Sequence, residues 1–190
     1  STQPFDASFS QIYFESSTST VRLQTKAAQA LNSYVGNPDV RLVVLTGDAG
    51  HGKTFMCADL LTAAFNHGLD DARTILKAKG FGKEPVGTLA DGRSLYVVKD
   101  LSELPTATNP GVLTTALAST DRVTVVCANE GRLRAAITGR SGLDDLLHLL
   151  DESIRVGTTT ATGVPAAILN LNHQSVVARG PNTTALLDQV

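Results

Sequence analysis

Residues 47 to 54 constrain this chain more than any other stretch, because they read Gly-Asp-Ala-Gly-His-Gly-Lys-Thr. The stretch fits G-x-x-x-x-G-K-[ST], the pattern of a phosphate-binding loop or P-loop. The preceding residues 42–46 are apolar and β-branched, which is typical of a buried parallel strand. The following residues 53–66 are rich in Ala, Leu and Phe and are followed by Gly68, which predicts a helix with a glycine stop. The motif therefore has the strand and the helix that its chemistry requires.

The loop pattern predicts how the phosphates of ATP would be held. Glycines let the backbone curl so that its N–H groups face phosphate oxygens, and the helix start adds partial positive charge. We expect Lys53 to reach the β- and γ-phosphates and the Thr54 hydroxyl to ligate Mg²⁺. A glycine-rich turn before a helix can also be turn chemistry alone, but here the lysine and the hydroxyl are both present. The expected nucleotide-binding residues are Gly47, Asp48, Ala49, Gly50, His51, Gly52, Lys53, Thr54 and Phe55.

Length and composition place the chain among ordinary globular proteins. Its 190 residues suit one domain, and we predict a single domain over 1–190 with a strap and hinge over 1–20 and a core over 21–190. The aromatic-rich start is interpreted either as packing against the core or as a lip over a nucleotide base. Because the first residue is Ser1 rather than Met, we expect the chain to be part of a longer protein.

Charge and hydropathy limit the partners. The hydrophobic fraction is 42%, the charged fraction 18% and the net charge −2, so nothing global indicates nucleic acid or an acidic membrane. Local basic patches leave DNA open as a partner. No run approaches the ~20 apolar residues that span a bilayer, and no signal peptide is recognisable, so we expect a cytoplasmic protein without a membrane partner. Cys57 and Cys127 lie in apolar runs without other ligands at zinc spacing, which predicts buried, reduced thiols.

Two further strands are predicted to end in polar residues. The apolar run 95–98 leads to Asp100, which has the form of a strand that delivers a carboxylate to a Mg²⁺ shell. That pattern is weak alone, because strands often end in Asp for turn reasons. The run 123–128 leads to Asn129 and Glu130, at the strand end where open α/β sheets bind ligands. Asn129 would orient a γ-phosphate or water and Glu130 would activate that water, or the pair simply caps the next helix.

The sequence leaves two alternatives each for the structure of residues 74–76 and for the role of Arg155. Residues 74–76 fit either a strand or a helical turn, in a stretch that glycines and Pro85 favour as a loop or hairpin. Arg155 ends a helix of regular leucine spacing; such arginines are mostly solvated or paired with carboxylates such as Asp151. Alternatively, Arg155 is an arginine finger presented to a neighbouring subunit.

Alternating strands and helices predict an α/β fold, a three-layer P-loop NTPase core with a mainly parallel sheet flanked by helices. The arrangement resembles the AAA+ and STAND group of P-loop ATPases, whose core strands carry Walker A, Walker B and sensor-1 residues in that order. The resemblance implies that Asp100 is the Walker B aspartate and Asn129 the sensor residue. In that group the aspartate is usually followed by Glu, whereas Leu101 follows here, which leaves Glu103 or Glu130 as the catalytic base.

A narrower resemblance involves the segments 99–104, 129–133 and 169–172. They are similar to those of ATPases in bacterial DNA-phosphorothioation-dependent restriction systems, which implies a role in defence against foreign DNA. We therefore expect an ATP-binding and ATP-hydrolysing, Mg²⁺-dependent motor or switch module, in a homo-oligomer or a larger assembly. The alternatives are a P-loop small-molecule kinase, for which no arginine-rich lid is found, and a non-hydrolysing nucleotide-binding scaffold.

Overall fold

The computed structural model describes residues 26–173, so the predicted strap and hinge over 1–20 lie outside the described residues. Within this range the chain has a mixed α/β fold in which one sheet of six strands is flanked by helices. The helices are α1 (Lys26–Gly36), α2 (Lys53–Phe65), α3 (Leu69–Lys79), α4 (Asn109–Ala118), α5 (Glu130–Ile137) and α6 (Asp144–Val156). The strands are β1 (Leu42–Thr46), β2 (Gly87–Thr88), β3 (Ser94–Val98), β4 (Arg122–Ala128), β5 (Thr158–Thr160) and β6 (Ala166–Asn170).

The sheet is mainly parallel, as the sequence predicts. Its order in the described range is β2-β3-β4-β1-β6-β5. Strands β3, β4, β1 and β6 run parallel to one another, while β2 and β5 are antiparallel strands at the two edges. The central strand β1 is buried along its whole length. Because such a strand is covered on both faces, its sequence is continuously apolar instead of alternating.

Two hydrophobic cores lie on opposite faces of this sheet. Val43 and Leu45 pack with residues of α1, α2 and α3, whereas Leu42 and Val44 pack with residues of α4, α5 and α6. The helix that follows β1 therefore covers one face, and the helix that follows the adjacent strand β4 covers the other. Where the connections of neighbouring parallel strands diverge in this way, a crevice opens at their carboxyl ends, which is where open α/β sheets bind ligands.

The ambiguous stretch after α2 is resolved by packing. Residues 74–76 are a helical turn within α3, because Leu76 is buried against the first core. The glycine-containing segment that follows includes the short antiparallel pair β2–β3, as a hairpin interpretation requires. Across residues 26–173, no helix has the length and apolarity needed to cross a bilayer.

A buried arginine ties this hairpin to the first helix. Arg93 donates from its guanidinium to the carbonyl oxygens of Val35 and Val40, at 2.8 and 2.9 Å. Its Nε donates to the carboxylate of Asp91 at 2.7 Å. The guanidinium thereby donates to carbonyl oxygens at the end of α1 and just before β1. A buried charged group is tolerated because its hydrogen bonds are satisfied in this way.

Candidate functional site

The loop between β1 and α2 has the backbone geometry that the glycines predict. Gly47, Gly50 and Gly52 have φ angles of 145°, 84° and 75°. A Cβ built on Gly50 or Gly52 would meet no atom within 4 Å, so the backbone angle, not crowding, requires glycine there. Residues 48–52 of the loop are exposed at the carboxyl edge of the sheet.

The side chain of Lys53 lies across the start of this loop. Its Nζ donates to the carbonyl oxygens of Gly47 and Asp48, at 2.7 and 2.8 Å. The ammonium group is thus held against the loop by two backbone acceptors and is only partly buried. This places a fixed positive charge beside the backbone N–H groups of the same loop.

The first turn of α2 adds further hydrogen-bond donors. Gly52 is the N-cap and supplies no side-chain acceptor, and the first helical bond described runs from Met56 N to Gly52 O at 2.9 Å. In an α-helix the N–H groups before that bond have no helical acceptor. Thr54 and Phe55 are both exposed in this turn, next to the loop.

The carboxyl end of β4 lies beside the loop, and the carboxyl end of β3 lies one strand further away. Val98 of β3 is in register with Val126 of β4, which is in register with Val44 of β1. Asp100 is two residues beyond Val98, just as Thr46 is two residues beyond Val44. With neighbouring strands roughly 4.8 Å apart, β4 separates the end of β3 from the loop by one strand.

Asp100 has a structural role of its own at this edge. Its Oδ1 accepts a hydrogen bond from the backbone N of Ser102 at 2.8 Å and caps the short 3-10 turn Leu101–Glu103. This is the turn function that the sequence pattern also allowed. A carboxylate has two oxygens and several lone pairs, so this bond leaves Asp100 able to bind a cation as well.

The capping alternative for Asn129 is confirmed. Its Oδ1 accepts from the backbone N of Arg132 at 2.8 Å, which caps α5. The amide NH₂ group of Asn129 is still a donor, and the residue is exposed immediately after β4. The cap therefore fixes the orientation of this side chain next to the loop.

The two candidate bases have different surroundings. Glu130 pairs with Arg134 at 3.3 Å, and Arg134 also pairs with Asp151 at 2.7 Å, as the sequence anticipated for an arginine in this region. The hydrogen bond to Asp151, and then that to Glu130, raises the pKa of Arg134. Glu130 follows β4, which is adjacent to β1. It is therefore one strand nearer to the loop than the residues that follow β3.

Glu103 follows β3, which is one strand further from β1 than β4 is. It pairs with Lys99 at 3.2 Å, and the Lys99 ammonium also lies 4.8 Å from the centre of the Phe81 ring. Phe81 forms an antiparallel bridge to Val98 of β3, on the side opposite β4. Glu103 is thus linked through Lys99 to Phe81, while its own turn, Leu101–Glu103, contacts β4.

The prediction of two buried thiols is confirmed, and nearby charges affect the pKa of one of them. Cys57 of α2 and Cys127 of β4 are both free and buried. The hydrogen bond with Cys57, together with burial, raises the pKa of the Cys127 thiol well above its usual range. Lys53 lowers the pKa of Cys127 and Asp100 raises it, each through its charge. Both charged groups therefore lie within electrostatic reach of the carboxyl end of β4.

Arg155 forms an ion pair within its own helix. It lies in the last turn of α6, pairs with Glu152 and has a side chain that is 72% exposed. The neighbouring carbonyl of Ile154 hydrogen-bonds the His173 ring, in the turn after β6. The end of α6 thus lies at the carboxyl edge of the sheet, where Arg155 is accessible to another molecule.

Two oxygen-bearing side chains at this edge are of the kind that Mg²⁺ prefers. Within residues 26–173, no group of three or more His, Cys, Asp or Glu side chains forms a metal cluster. Mg²⁺ bound with phosphates needs only one or two protein ligands, and the Thr54 hydroxyl and the Asp100 carboxylate would be the candidates. Thr46 Oγ1, one residue before the loop, is the one buried side-chain polar atom in the described part of the chain that lacks a hydrogen-bond partner.

One contact of the loop does not follow from any local sequence pattern. The backbone N of Asp48 donates to Oδ1 of Asn172 at 2.9 Å, across 124 residues of sequence. The sequence signal at Asn172 is only that of a polar residue after an apolar strand.

Comparisons with protein-family models, curated proteins and solved structures each found no match.

Proposed function

We propose that this chain binds Mg-ATP on the loop of residues 47–55 and hydrolyses it. The observation that carries the proposal is the position of Lys53, whose ammonium is held by the Gly47 and Asp48 carbonyls. A lysine that spans such a loop at the start of a helix combines with the loop N–H groups to attract an anion with several phosphates.

The chemistry expected at this site is positioning and charge stabilisation. Phosphoryl transfer needs little covalent help from the protein, so fixed donors and cations account for most of the catalysis. Mg²⁺, when bound, would neutralise charge on the β- and γ-phosphates. Lys53 would hold the same oxygens, while Thr54 and Asp100 would supply ligands to the ion.

Glu130 is our candidate for the residue that activates water. It begins α5 directly after β4, next to β1, whereas Glu103 follows β3, one strand further from β1, and pairs with Lys99. Asn129, fixed as a cap, would donate from its amide to the γ-phosphate or to the water. The ion pair with Arg134 would orient the Glu130 carboxylate.

We further propose that the chain acts as a motor or switch module of a larger assembly or homo-oligomer in the cytoplasm. Arg155 supports this, because it is exposed at the same edge of the sheet as the loop and pairs with Glu152 of its own helix. A role in defence against foreign DNA follows from the narrower sequence resemblance. DNA is then a candidate regulator of hydrolysis.

Calorimetry with Mg-ATP tests the binding proposal. Loss of a hydrogen bond to a charged group costs about 1.5–3 kcal/mol, so Lys53→Ala should raise the Kd by roughly ten- to a hundredfold. The matched control is Lys77→Ala, which removes an exposed lysine from the last turn of α3. Equal affinities in the wild type and Lys53→Ala would refute the site.

Phosphate release then separates the remaining functions. An ATPase releases phosphate from ATP with water alone, and DNA or a partner protein would alter the rate. A small-molecule kinase instead transfers phosphate to an added alcohol acceptor. Tight binding without either product would identify a nucleotide-binding scaffold.

A further inference from the structure

We infer that Asn172 is a positioning residue that holds the phosphate-binding loop in its binding conformation, an inference that rests on the proposed function. Asn172 lies in the 3-10 turn Leu171–His173, which directly follows β6. It contacts the loop at its first turn, far from Lys53 in sequence and on the opposite side of β1 from β4.

The hydrogen bond removes one donor from the loop's inner face. The Asp48 N–H is committed to Asn172 Oδ1 at 2.9 Å, so it is not one of the donors available to a phosphate. The N–H groups proposed for the anion belong to the later part of the loop, where His51 N also donates to Asp48 O at 3.4 Å, and to the first turn of α2. Asn172 thus fixes where the donor array begins.

The same oxygen also limits the conformation of Gly47. A Cβ added to Gly47 would lie 3.1 Å from Asn172 Oδ1 and 3.2 Å from the Cβ of Leu171. The turn after β6 therefore packs directly against the loop backbone. With φ at 145°, Gly47 has a conformation that other residues rarely adopt, and this close packing helps to hold it there.

Asn172 is itself held in place. Its backbone N donates to Oδ1 of Asn170 at 3.1 Å, and Asn170 is buried at the end of β6. Asn170 is in register with Thr46, the last residue before the loop. The chain path Asn170–Asn172–Asp48 thus joins the ends of two neighbouring strands through side-chain amides. A side chain fixed in this way can orient a loop at little further entropic cost.

The mechanism predicted is preorganisation. Without the Asn172 acceptor, the Asp48 N–H would donate to water instead. The start of the loop would then sample other conformations. Binding of the anion would then have to order the loop, so affinity would fall although no direct contact with the ligand is lost. The Lys53 bonds to Gly47 O and Asp48 O would loosen at the same time, because they end on the same two residues.

The test compares Asn172→Ala with Asn172→Asp and with Asn37→Ala in the full chain. Asn172→Asp keeps an acceptor oxygen for the Asp48 N–H. Asn37→Ala is the matched control, because Asn37 Oδ1 accepts from the Asp39 backbone N at the same distance of 2.9 Å in an exposed turn. Amide hydrogen exchange is measured by NMR without nucleotide, with the amides of α3 as an internal reference for global stability.

We expect the Asp48 amide to exchange about tenfold faster in Asn172→Ala than in the wild type, relative to α3. Asn172→Asp should restore slow exchange, and Asn37→Ala should leave the loop unchanged. Unchanged exchange of the Asp48 amide in Asn172→Ala overturns the inference. If Asn172→Ala does not fold, fast Asp48 exchange in folded Asn172→Asp would overturn it as well.

Calorimetry with Mg-ATP provides the second readout. We expect Asn172→Ala to raise the Kd about tenfold and Asn37→Ala to leave it unchanged. Wild-type affinity in Asn172→Ala overturns the positioning role. If the wild type itself does not bind Mg-ATP, the proposed function fails. The exchange result still decides whether Asn172 holds the loop.

Discussion

The Sγ atoms of Cys57 and Cys127 lie 3.3 Å apart, although 70 residues separate them in the sequence. The pair joins α2, directly behind the loop, to β4, which is followed by Asn129 and Glu130. Because the hydrogen bond and burial raise the pKa of Cys127, its thiolate form is scarce at neutral pH.

The first prediction concerns these thiols. Since the thiolate is the reactive form, alkylation by iodoacetamide at pH 8 should be at least about a hundredfold slower in the folded protein than for free cysteine. Unfolding in denaturant should bring both thiols to the rate of free cysteine. Mass spectrometry of the labelled chain measures both rates. Rapid labelling of the folded protein would contradict the buried pair.

A second prediction concerns acid stability. Hydrogen bonds from the Arg93 backbone N and, secondarily, from its side chain lower the pKa of Asp91 below its ordinary value. A carboxyl group with a lowered folded-state pKa contributes stability above its unfolded pKa of about 3.9, and this contribution is lost as the pH falls through the folded value. Asp91→Asn should therefore lower the Tm by a few degrees at pH 7.

The difference in Tm between wild type and Asp91→Asn should shrink as the pH falls below about 4. Thermal melts followed by circular dichroism at pH 7, 5 and 3 measure it. Asp39→Asn, in the exposed turn before β1, is the control and should show a smaller difference at every pH. A Tm difference that does not depend on pH would disprove the role of the Asp91 charge.

The third prediction isolates the metal ligand. Asp100→Asn keeps an oxygen that can accept from Ser102 N, so the turn should persist. A neutral amide is a poorer ligand for a hard cation, so Mg²⁺ should improve ATP affinity about tenfold less than in the wild type. Calorimetry with Mg²⁺ and with EDTA gives this ratio. The same Mg²⁺ dependence in both proteins would exclude Asp100 from the shell.

The fourth prediction identifies the base. Glu130→Gln should leave ATP bound but slow its single-turnover cleavage by roughly 10²–10⁴-fold, the usual contribution of general-base catalysis. Asp151→Asn is the matched control, because it weakens the same Arg134 cluster without removing the proposed base. If the Asp151→Asn variant cleaves ATP equally slowly, the Arg134 cluster only supports the fold. If Glu103→Gln alone is slow, Glu103 is the base.

The fifth prediction concerns assembly. An arginine supplied by a neighbouring subunit can raise phosphoryl-transfer rates by ~10³–10⁵-fold, so dilute chains should hydrolyse ATP slowly and concentrated chains faster. Mixing Arg155→Ala with Lys53→Ala chains should restore part of the activity, because some interfaces pair an intact loop with an intact arginine. Fast hydrolysis by a demonstrated monomer would rule out the arginine finger.

Much of the fold was predictable because its signals are local. The apolar β1, the glycine positions and the helix that starts at Lys53 all follow from short patterns, and each lies where those patterns indicate. The polar residues Asp100 and Asn129 were also located correctly at strand ends. Their capping bonds were not distinguishable from functional roles in sequence, because Asp and Asn serve both purposes with the same oxygens.

Only the tertiary structure decided which of these local elements meet. Residues 74–76 became helical because Leu76 packs into a core shared with β1, which no local pattern expresses. The Cys57–Cys127 contact and the bond between Asp48 and Asn172 depend on strand order, which places β4 and β6 on either side of β1. Local periodicity specifies a strand or a helix, but strand order results from burying both faces of the sheet at once. The neighbours of the loop are therefore a property of the whole packed chain.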